Sequence, residues 1–382
     1  MPRTRERPPC SRERPPSTRR RLYLFEVASS CFEVDVSPDE GSASPDEGSV
    51  SPDEGTPSLG VSFATGDPMT TERIRLGIDL GGTKTEAIVM REHPTTGCAG
   101  FDVLARLRVP TERDLGYEHI VANTARLALA VTRDAGLRDP PSVGVGMPGS
   151  TTLRNSDVPL IKNSNTVCLN GRPFHRDLRA ALGVDACFAN DANCFALAEA
   201  AFGAGVGCDV VFGVILGTGV GGGIVLRSGG GRPRAWNGVQ GIAGEWGHVC
   251  LDPVDGPPCY CGRRGCVEQY LSGPAIERAY MALKGESRTV AEIAARRAHD
   301  VAADEILSRA MAVFGRAIAT VINVLDPDVI VLGGGVSHLD CLYAEGVYAV
   351  GDWIFNDETC TRVVRHALSD SAGVVGAAML PE

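Results

Sequence analysis

One histidine and three cysteines inside residues 248–266 constrain this chain most. His248 is followed by ten residues, then Cys259-x-Cys261, then four residues, then Cys266. One imidazole and three thiolates make a closed tetrahedral donor set, which is what a structural zinc ion takes. The spacing predicts zinc on these four residues. Gly262 and Gly265 fall between the last two thiols, where the backbone must turn sharply for both to reach one ion. Cys-x-Cys lacks the two-residue spacer of redox dithiols, which argues against a redox role. Glu245 and Glu268 flank the motif. A metal knot would fix their carboxylates relative to each other, and a rigid pair of acceptors suits a polyhydroxyl ligand. The bland alternative is four soft residues scattered along a Gly/Pro loop.

The chain has 382 residues, enough for two domains. Its net charge of −10 argues against a nucleic-acid or anionic-membrane surface. The apolar runs are far too short to span a bilayer. Neither nucleic acid nor a membrane is expected as a partner. Thirteen cysteines are spread along the chain rather than framed in pairs. With three given to a metal, the rest read as buried or free thiols in a reducing cytoplasm.

Residues 1–22 are rich in Arg and Pro, and residues 37–55 repeat Ser-Pro-Asp-Glu-Gly three times at a seven-residue period. Neither stretch has the apolar side chains to offset its ordering entropy, so residues 1–70 are expected to be a disordered extension or an over-called start. Glu6, Glu13 and the prolines speak against a transit peptide. The repeat has no apolar seam and is not a coiled coil. Met69 stands just before the first regular strand and reads as a natural beginning.

Three glycine turns follow. IRLGIDL ends near Asp79, then Gly81, Gly82, Thr83 and Lys84 lead into the strand-like EAIVM. Such a turn can offer backbone N–H groups, a hydroxyl and a positive charge to an anion. Asp79 could hold a hydrated magnesium ion beside it. A plain hairpin turn is the alternative. The second turn, in VVFGVILGTGVGGGIVL, carries Gly217, Thr218 and Gly219. It formally matches a dinucleotide fingerprint, but that requires a helix afterwards, and GIVL continues as a strand. Two glycine hairpins in two halves of the chain point to an internal duplication that grips phosphates from both sides. In DPDVIVLGGGVS, Gly333, Gly334 and Gly335 permit close backbone approach to an adenosine, or simply turn strand into helix.

Asn163, Asn165 and Asn170 lie in a polar loop whose amides suit sugar hydroxyls, as amides in many surface loops would. VDACFA reads as a buried strand, then Asn190-Asp191 open a helix. Asp191 is either the helix N-cap or a base at a strand's carboxyl end, where α/β folds bind ligands. Residues 114–136 and 289–323 read as amphipathic helices, and a small-residue helix ends the chain near residue 380.

Together these residues resemble the ROK family of sugar kinases over residues 73–380. DLGGTKT at 79–85, NDAN, LGTGVGGG, GEWGH, the CxCGxxGCxE signature at 259–268 and LGGG occur in the family's order. The resemblance implies an α/β, actin-like ATPase (ribonuclease H-like) fold, with two α/β domains around a central cleft. The expected domains are residues 73–192 and 193–368, with the zinc motif at 248–266 in the second and the helix at about 369–380 returning to the first. It implies MgATP as donor, with Asp79, Gly81, Gly82, Thr83, Lys84, Gly217, Thr218, Gly219, Gly333, Gly334 and Gly335 on the nucleotide side. It implies structural zinc on His248, Cys259, Cys261 and Cys266, and Asp191 as the catalytic base. Asn165, Asn190, Glu245, His248 and Glu268 would face the sugar. KNSNTVCLNGRPF, GEWGH and CYCGRRGC look most like bacterial fructokinases, so fructose, with mannose beside it, is the expected acceptor at its 6-hydroxyl. An N-acetylglucosamine kinase or glucokinase of the same family is the runner-up. A sugar-responsive repressor ranks low, because the preceding segment cannot form a helix-turn-helix. A cytoplasmic homodimer is expected.

Overall fold

RIRLGIDL forms β1 (Arg73–Leu80), and Gly-Gly-Thr turns it back into β2 (Lys84–His93), with Leu80 opposite Thr85 in an antiparallel ladder. The computed structural model of the chain describes residues 73–93, 100–153, 156–229, 231–368 and 371–381. These belong to the unit Thr65–Glu382. The Arg/Pro-rich stretch, the Ser-Pro-Asp-Glu-Gly repeats and the start expected at Met69 lie outside the described residues.

β3 (Gly100–Pro110) continues the meander, and β4 (Ser142–Met147) returns parallel to β1 after the helix α1 (Tyr117–Asp134). A small hairpin, β5 (Ser150–Thr152) and β6 (Leu160–Lys162), and the helix α2 (Phe174–Leu182) precede β7 (Ala186–Asn190). The first sheet has the order β3-β2-β1-β4-β7. Leu76, Ile78 and Val143 from its strands share one core with Ile120, Leu127 and Val131 of α1.

α3 (Asp191–Phe202) leads into β8 (Val210–Leu216), β9 (Val220–Leu226) and the short β10 (Arg234–Ala235). The helices α4 (Glu268–Leu271), α5 (Gly273–Lys284), α6 (Val290–Arg296) and α7 (Val301–Leu325) cross over to β11 (Val329–Gly333). After α8 (Glu345–Tyr348), β12 (Arg362–Arg365) adds the last strand. This second sheet runs β10-β9-β8-β11-β12. Its strand order repeats that of the first: an antiparallel meander on one side, two parallel strands on the other. The duplication read from the two glycine hairpins is therefore present in the topology.

α3 is largely apolar, and residues 192–201 are all buried, Asn193 and Glu199 among them, as expected for a helix packed all round. It lies against α9 (Ala372–Ala378), which packs on β1 and β4. Ile88 and Met90 of β2, Ala196 and Leu197 of α3, Val211 and Val331 of the second sheet and Val374 of α9 form one cluster that joins the two sheets. The approach is close enough that a Cβ at Gly376 would stand 1.7 Å from the Cys194 carbonyl oxygen. Only glycine fits there. Among the described residues, no helix is long and apolar enough to cross a membrane.

Candidate functional site

The first glycine turn is held by threonine. Gly81 N–H donates to the Lys84 carbonyl at 3.0 Å, and Thr111 N–H donates to the Thr83 carbonyl at 2.9 Å. The Thr111 hydroxyl donates to the Gly81 carbonyl at 2.7 Å. Thr83 and Lys84 stay exposed. The second turn closes by Gly217 N–H donating to the Gly219 carbonyl at 2.9 Å, and Gly273 N–H at the start of α5 donates to the Gly217 carbonyl at 2.8 Å. β11 runs parallel to β8 with Gly333 opposite Ile215, which sets residues 333–335 beside the second turn.

A cavity of about 770 Å³ brings sugar-side and phosphate-side expectations together: Asn165 and Glu268 line it with Thr218 and Gly219. Asn165 also reaches the first turn, its Oδ1 lying 4.0 Å from where a Cβ on Gly82 would be. Glu268 opens α4, and its Oε2 accepts from Val220 N–H at 3.0 Å, directly after the Gly217–Gly219 turn. Tyr260, Pro257, Pro258, Gln269 and Arg278 are also part of the wall.

Asp191 is the first helical residue at the carboxyl end of β7. The cap belongs to Asn190: its Oδ1 accepts from Ala192 N–H at 2.9 Å, and its Nδ2 donates to the Gly149 carbonyl at 3.0 Å. Asp191 Oδ1 also accepts from Ala192 N–H, at 2.8 Å. Among the described residues its second oxygen accepts no such bond. Asp191 is open to water by surface area yet ringed closely by protein. That surrounding, and after it the Glu245 charge, push its carboxyl up to about 6 against the pull of the Ala192 N–H. Burial, then the charges of Asp191 and Glu86, push Asp79 up to about 7. Burial, and the neighbouring Glu268, hold Glu245 above the usual carboxylate range against the opposing pull of His248 and Lys162. Electrostatic coupling thus runs from Asp79 through Asp191 and Glu245 to Glu268. Each carboxylate of this series raises the cost of ionising its neighbour, which favours a cation or a hydroxyl-rich ligand beside them.

The donor set read from residues 248–266 is assembled. The ligand atoms of His248, Cys259, Cys261 and Cys266 all lie within 4.8 Å of one another. Cys261 Sγ and Cys266 Sγ are 3.6 Å apart, and Cys259 Sγ is 3.6 Å from His248 Nδ1. Tetrahedral zinc with bonds of about 2.3 Å puts its sulfurs about 3.8 Å apart. A disulfide needs about 2.05 Å, so these are thiols grouped around a point, and the set fits zinc. Gly262 and Gly265 have φ of 86° and 63°, the left-handed turns expected of them. The other ring nitrogen of His248, Nε2, stands 3.0 Å from the Tyr260 hydroxyl. Tyr260 therefore joins the donor set to the cavity wall. Sequence reasoning missed Tyr260 and Lys162. Tyr260 had one signal, its place between two cysteines. Lys162 had none, since its nearness to Glu245 depends on the β5–β6 hairpin.

With this geometry in hand, the comparisons are specific. The ROK family profile matches residues 75–382. The chain is 34% identical over 315 residues to an N-acetyl-D-glucosamine kinase of Photobacterium profundum, covering 80% of this chain and 98% of that one. Its fold is similar to that of a ROK hexokinase from Thermus thermophilus, with a TM-score of 0.66 and 32% identity over 80% of this chain and 97% of that one. It is also similar to a ROK family glucokinase from Streptomyces griseus solved with glucose and AMPPNP, with a TM-score of 0.60 and 28% identity over 80% and 98% of the two chains. The chain belongs to the ROK family, and its class is that of the family's sugar kinases. The actin-like ATPase fold expected from the motifs is the fold observed, with its two sheets and their helices as the two α/β halves. The comparison with an N-acetylglucosamine kinase favours the runner-up acceptor over the expected fructose.

Proposed function

We propose that this chain moves the γ-phosphoryl group of ATP to the 6-hydroxyl of an N-acetylated hexosamine, N-acetylglucosamine before other sugars. The observation that carries the reading is the single cavity in which Asn165 and Glu268 meet Thr218 and Gly219, with Asp191 coupled to the same acidic chain. The similarity to an N-acetylglucosamine kinase supports that acceptor. So does the wall of Pro257, Pro258 and Tyr260 beside Glu268, an apolar surface for an acetamido methyl that fructose, mannose and glucose lack.

In this reading Asn165, Glu245 and Glu268 hold the sugar hydroxyls, the amide donating and accepting, the carboxylates accepting. Asn190 has already given one donor and one acceptor to the cap and Gly149, and reaches the sugar with what is left. Asp191 accepts the 6-hydroxyl proton as that oxygen bonds to the γ-phosphorus. The bond from γ-phosphorus to the bridging oxygen breaks, and its electrons leave with ADP. Asp79, Gly81, Gly82, Thr83 and Lys84, with residues 217–219 and 333–335, cradle the nucleotide through backbone N–H groups and one ammonium. What magnesium supplies when bound is neutralisation of phosphate charge, and Asp79 would hold it through water. His248, Cys259, Cys261 and Cys266 would hold zinc, which keeps residues 245–268 in one frame. Two domains, 73–192 and 193–368, with the last helix returning to the first, and a cytoplasmic homodimer belong to the same reading. A coupled ADP-release assay over N-acetylglucosamine, fructose, mannose and glucose tests it. The highest kcat/KM is expected for N-acetylglucosamine, and a higher value for fructose would restore the other acceptor.

A further inference from the structure

Thr111 ties the end of β3 to the first glycine turn, its N–H donating to the Thr83 carbonyl and its hydroxyl to the Gly81 carbonyl. The next residue, Glu112, has φ of 51° and ψ of 44°, a left-handed backbone that glutamate seldom takes. His119 Nε2 stands 2.8 Å from Glu112 Oε2 and holds that side chain aside. Strained conformations of this kind persist where their surroundings enforce them, and they gather at ligand clamps. What this one delivers is Arg113. The three atoms nearest the place of a Cβ on Gly82 are Arg113 Nη1 at 3.8 Å, Thr166 Oγ1 at 3.9 Å and Asn165 Oδ1 at 4.0 Å. All are polar side-chain atoms, and none crowds the glycine, so the space over the turn is open with polar walls. Thr166 is fully buried and serves only as wall. Arg113 is exposed, and among the described residues its guanidinium makes no hydrogen bond or ion pair.

Gly82 belongs to the turn that the proposed function sets against the phosphates. Asn165 belongs to the loop that it sets against the sugar, and it lines the cavity with Thr218, Gly219 and Glu268. A cation beside both stands where a phosphoryl group would cross from one to the other. During transfer the charge of that group spreads over its equatorial oxygens, and a planar guanidinium fork matches them better than an ammonium does.

We infer that Arg113 is a further catalytic residue of the transfer, its guanidinium holding the equatorial oxygens of the γ-phosphoryl group as that group passes from ATP to the sugar. The inference rests on the sugar-kinase reading above. The sugar 6-oxygen bonds to the γ-phosphorus as the bond from phosphorus to the bridging oxygen breaks. The electron pair of that bond leaves with ADP, and the hydroxyl proton goes to Asp191. Arg113 donates hydrogen bonds throughout and exchanges no proton.

The test is steady-state kinetics of the full chain with MgATP and whichever of the four sugars above the wild type turns over fastest. Wild type, Arg113→Gln and Arg113→Lys are compared, with sugar affinity from calorimetry and Tm from thermal unfolding. Arg113→Gln is expected to lower kcat and kcat/KM together by about a hundred-fold or more, the mark of an interaction made only during transfer. Its sugar affinity and its Tm without ligands stay near the wild type, because the side chain is exposed and unpartnered. Arg113→Lys recovers part of the loss, since it keeps the charge without the fork. MgADP with aluminium fluoride and sugar, which mimics the group in flight, is expected to raise Tm of the wild type and to raise that of Arg113→Gln far less. A kcat for Arg113→Gln within about threefold of the wild type overturns the assignment and leaves the kinase reading standing. So does a rise in KM for ATP alone, which reports a charge that only attracts the nucleotide. A loss of sugar affinity or of Tm as large as the loss of turnover makes Arg113 structural and equally overturns it. A wild type that phosphorylates none of the four sugars ends the kinase reading itself, and this inference with it, before any variant is compared.

Discussion

A carboxylate can take a proton from an alcohol only while it is ionised. Asp191, pushed up to about 6, is ionised near neutral pH and still basic enough to be useful. We expect kcat/KM to fall on the acid side with a midpoint near 6, and a profile flat from pH 5 to 8 would contradict this. Stability runs the opposite way. Asp191 and Asp79 bind their protons more tightly folded than unfolded, so their contribution is full below the unfolded value of 3.8. It is lost as pH rises through about 6 and 7. Asp191→Asn is expected to lower kcat by about a hundred-fold or more while sugar affinity by calorimetry stays within a few-fold. An unimpaired kcat would remove Asp191 from the reaction. The sequence left Asp191 between cap and base. In the structure Asn190 Oδ1 and Asp191 Oδ1 both accept from the Ala192 N–H, a shared cap that depends on side-chain direction and that no spacing encodes.

The grouped donors at residues 248–266 are the element on which the proposed sugar site leans. Its four donors were legible because zinc demands residue types and spacings that chance seldom supplies. Tyr260 and Lys162 were not, because their neighbours come from elsewhere in the chain. Cys261→Ala is expected to abolish zinc binding by mass spectrometry of the native protein and to weaken sugar binding about tenfold or more, as Glu245 and Glu268 lose their common frame. Full sugar affinity in a zinc-free variant would separate the knot from recognition. The packing of α9 on α3 makes a second element-level claim. Gly376→Val has no room beside the Cys194 carbonyl and should cost about 1–3 kcal/mol or more in urea unfolding. An unchanged midpoint would show that α9 carries little of the fold's stability. The apolar run at the chain's end announced a close-packed helix. Its return toward the first domain was implied by the family resemblance, but its contact with α3 could not be read from periodicity, which says that a helix is buried and not against what.

At the scale of the molecule, two sheets of matching order meet through α3 and α9, and each carries one glycine hairpin, between β1 and β2 and between β8 and β9. That plan was visible in the sequence, because a strand, a glycine turn and a second strand occur twice with no helix after either turn. The acceptor was not, because the reading proposed for it rests on loop positions such as Pro257, Pro258 and Tyr260, which share a cavity lining with Glu268 only in the folded chain. The most direct measurement compares kcat/KM for N-acetylglucosamine and fructose with MgATP, in the wild type and in Asp191→Asn. The account predicts a preference for N-acetylglucosamine that collapses in turnover but not in binding when Asp191 is neutralised. Phosphorylation of neither sugar by the zinc-loaded wild type, or equal turnover in both proteins, would contradict it.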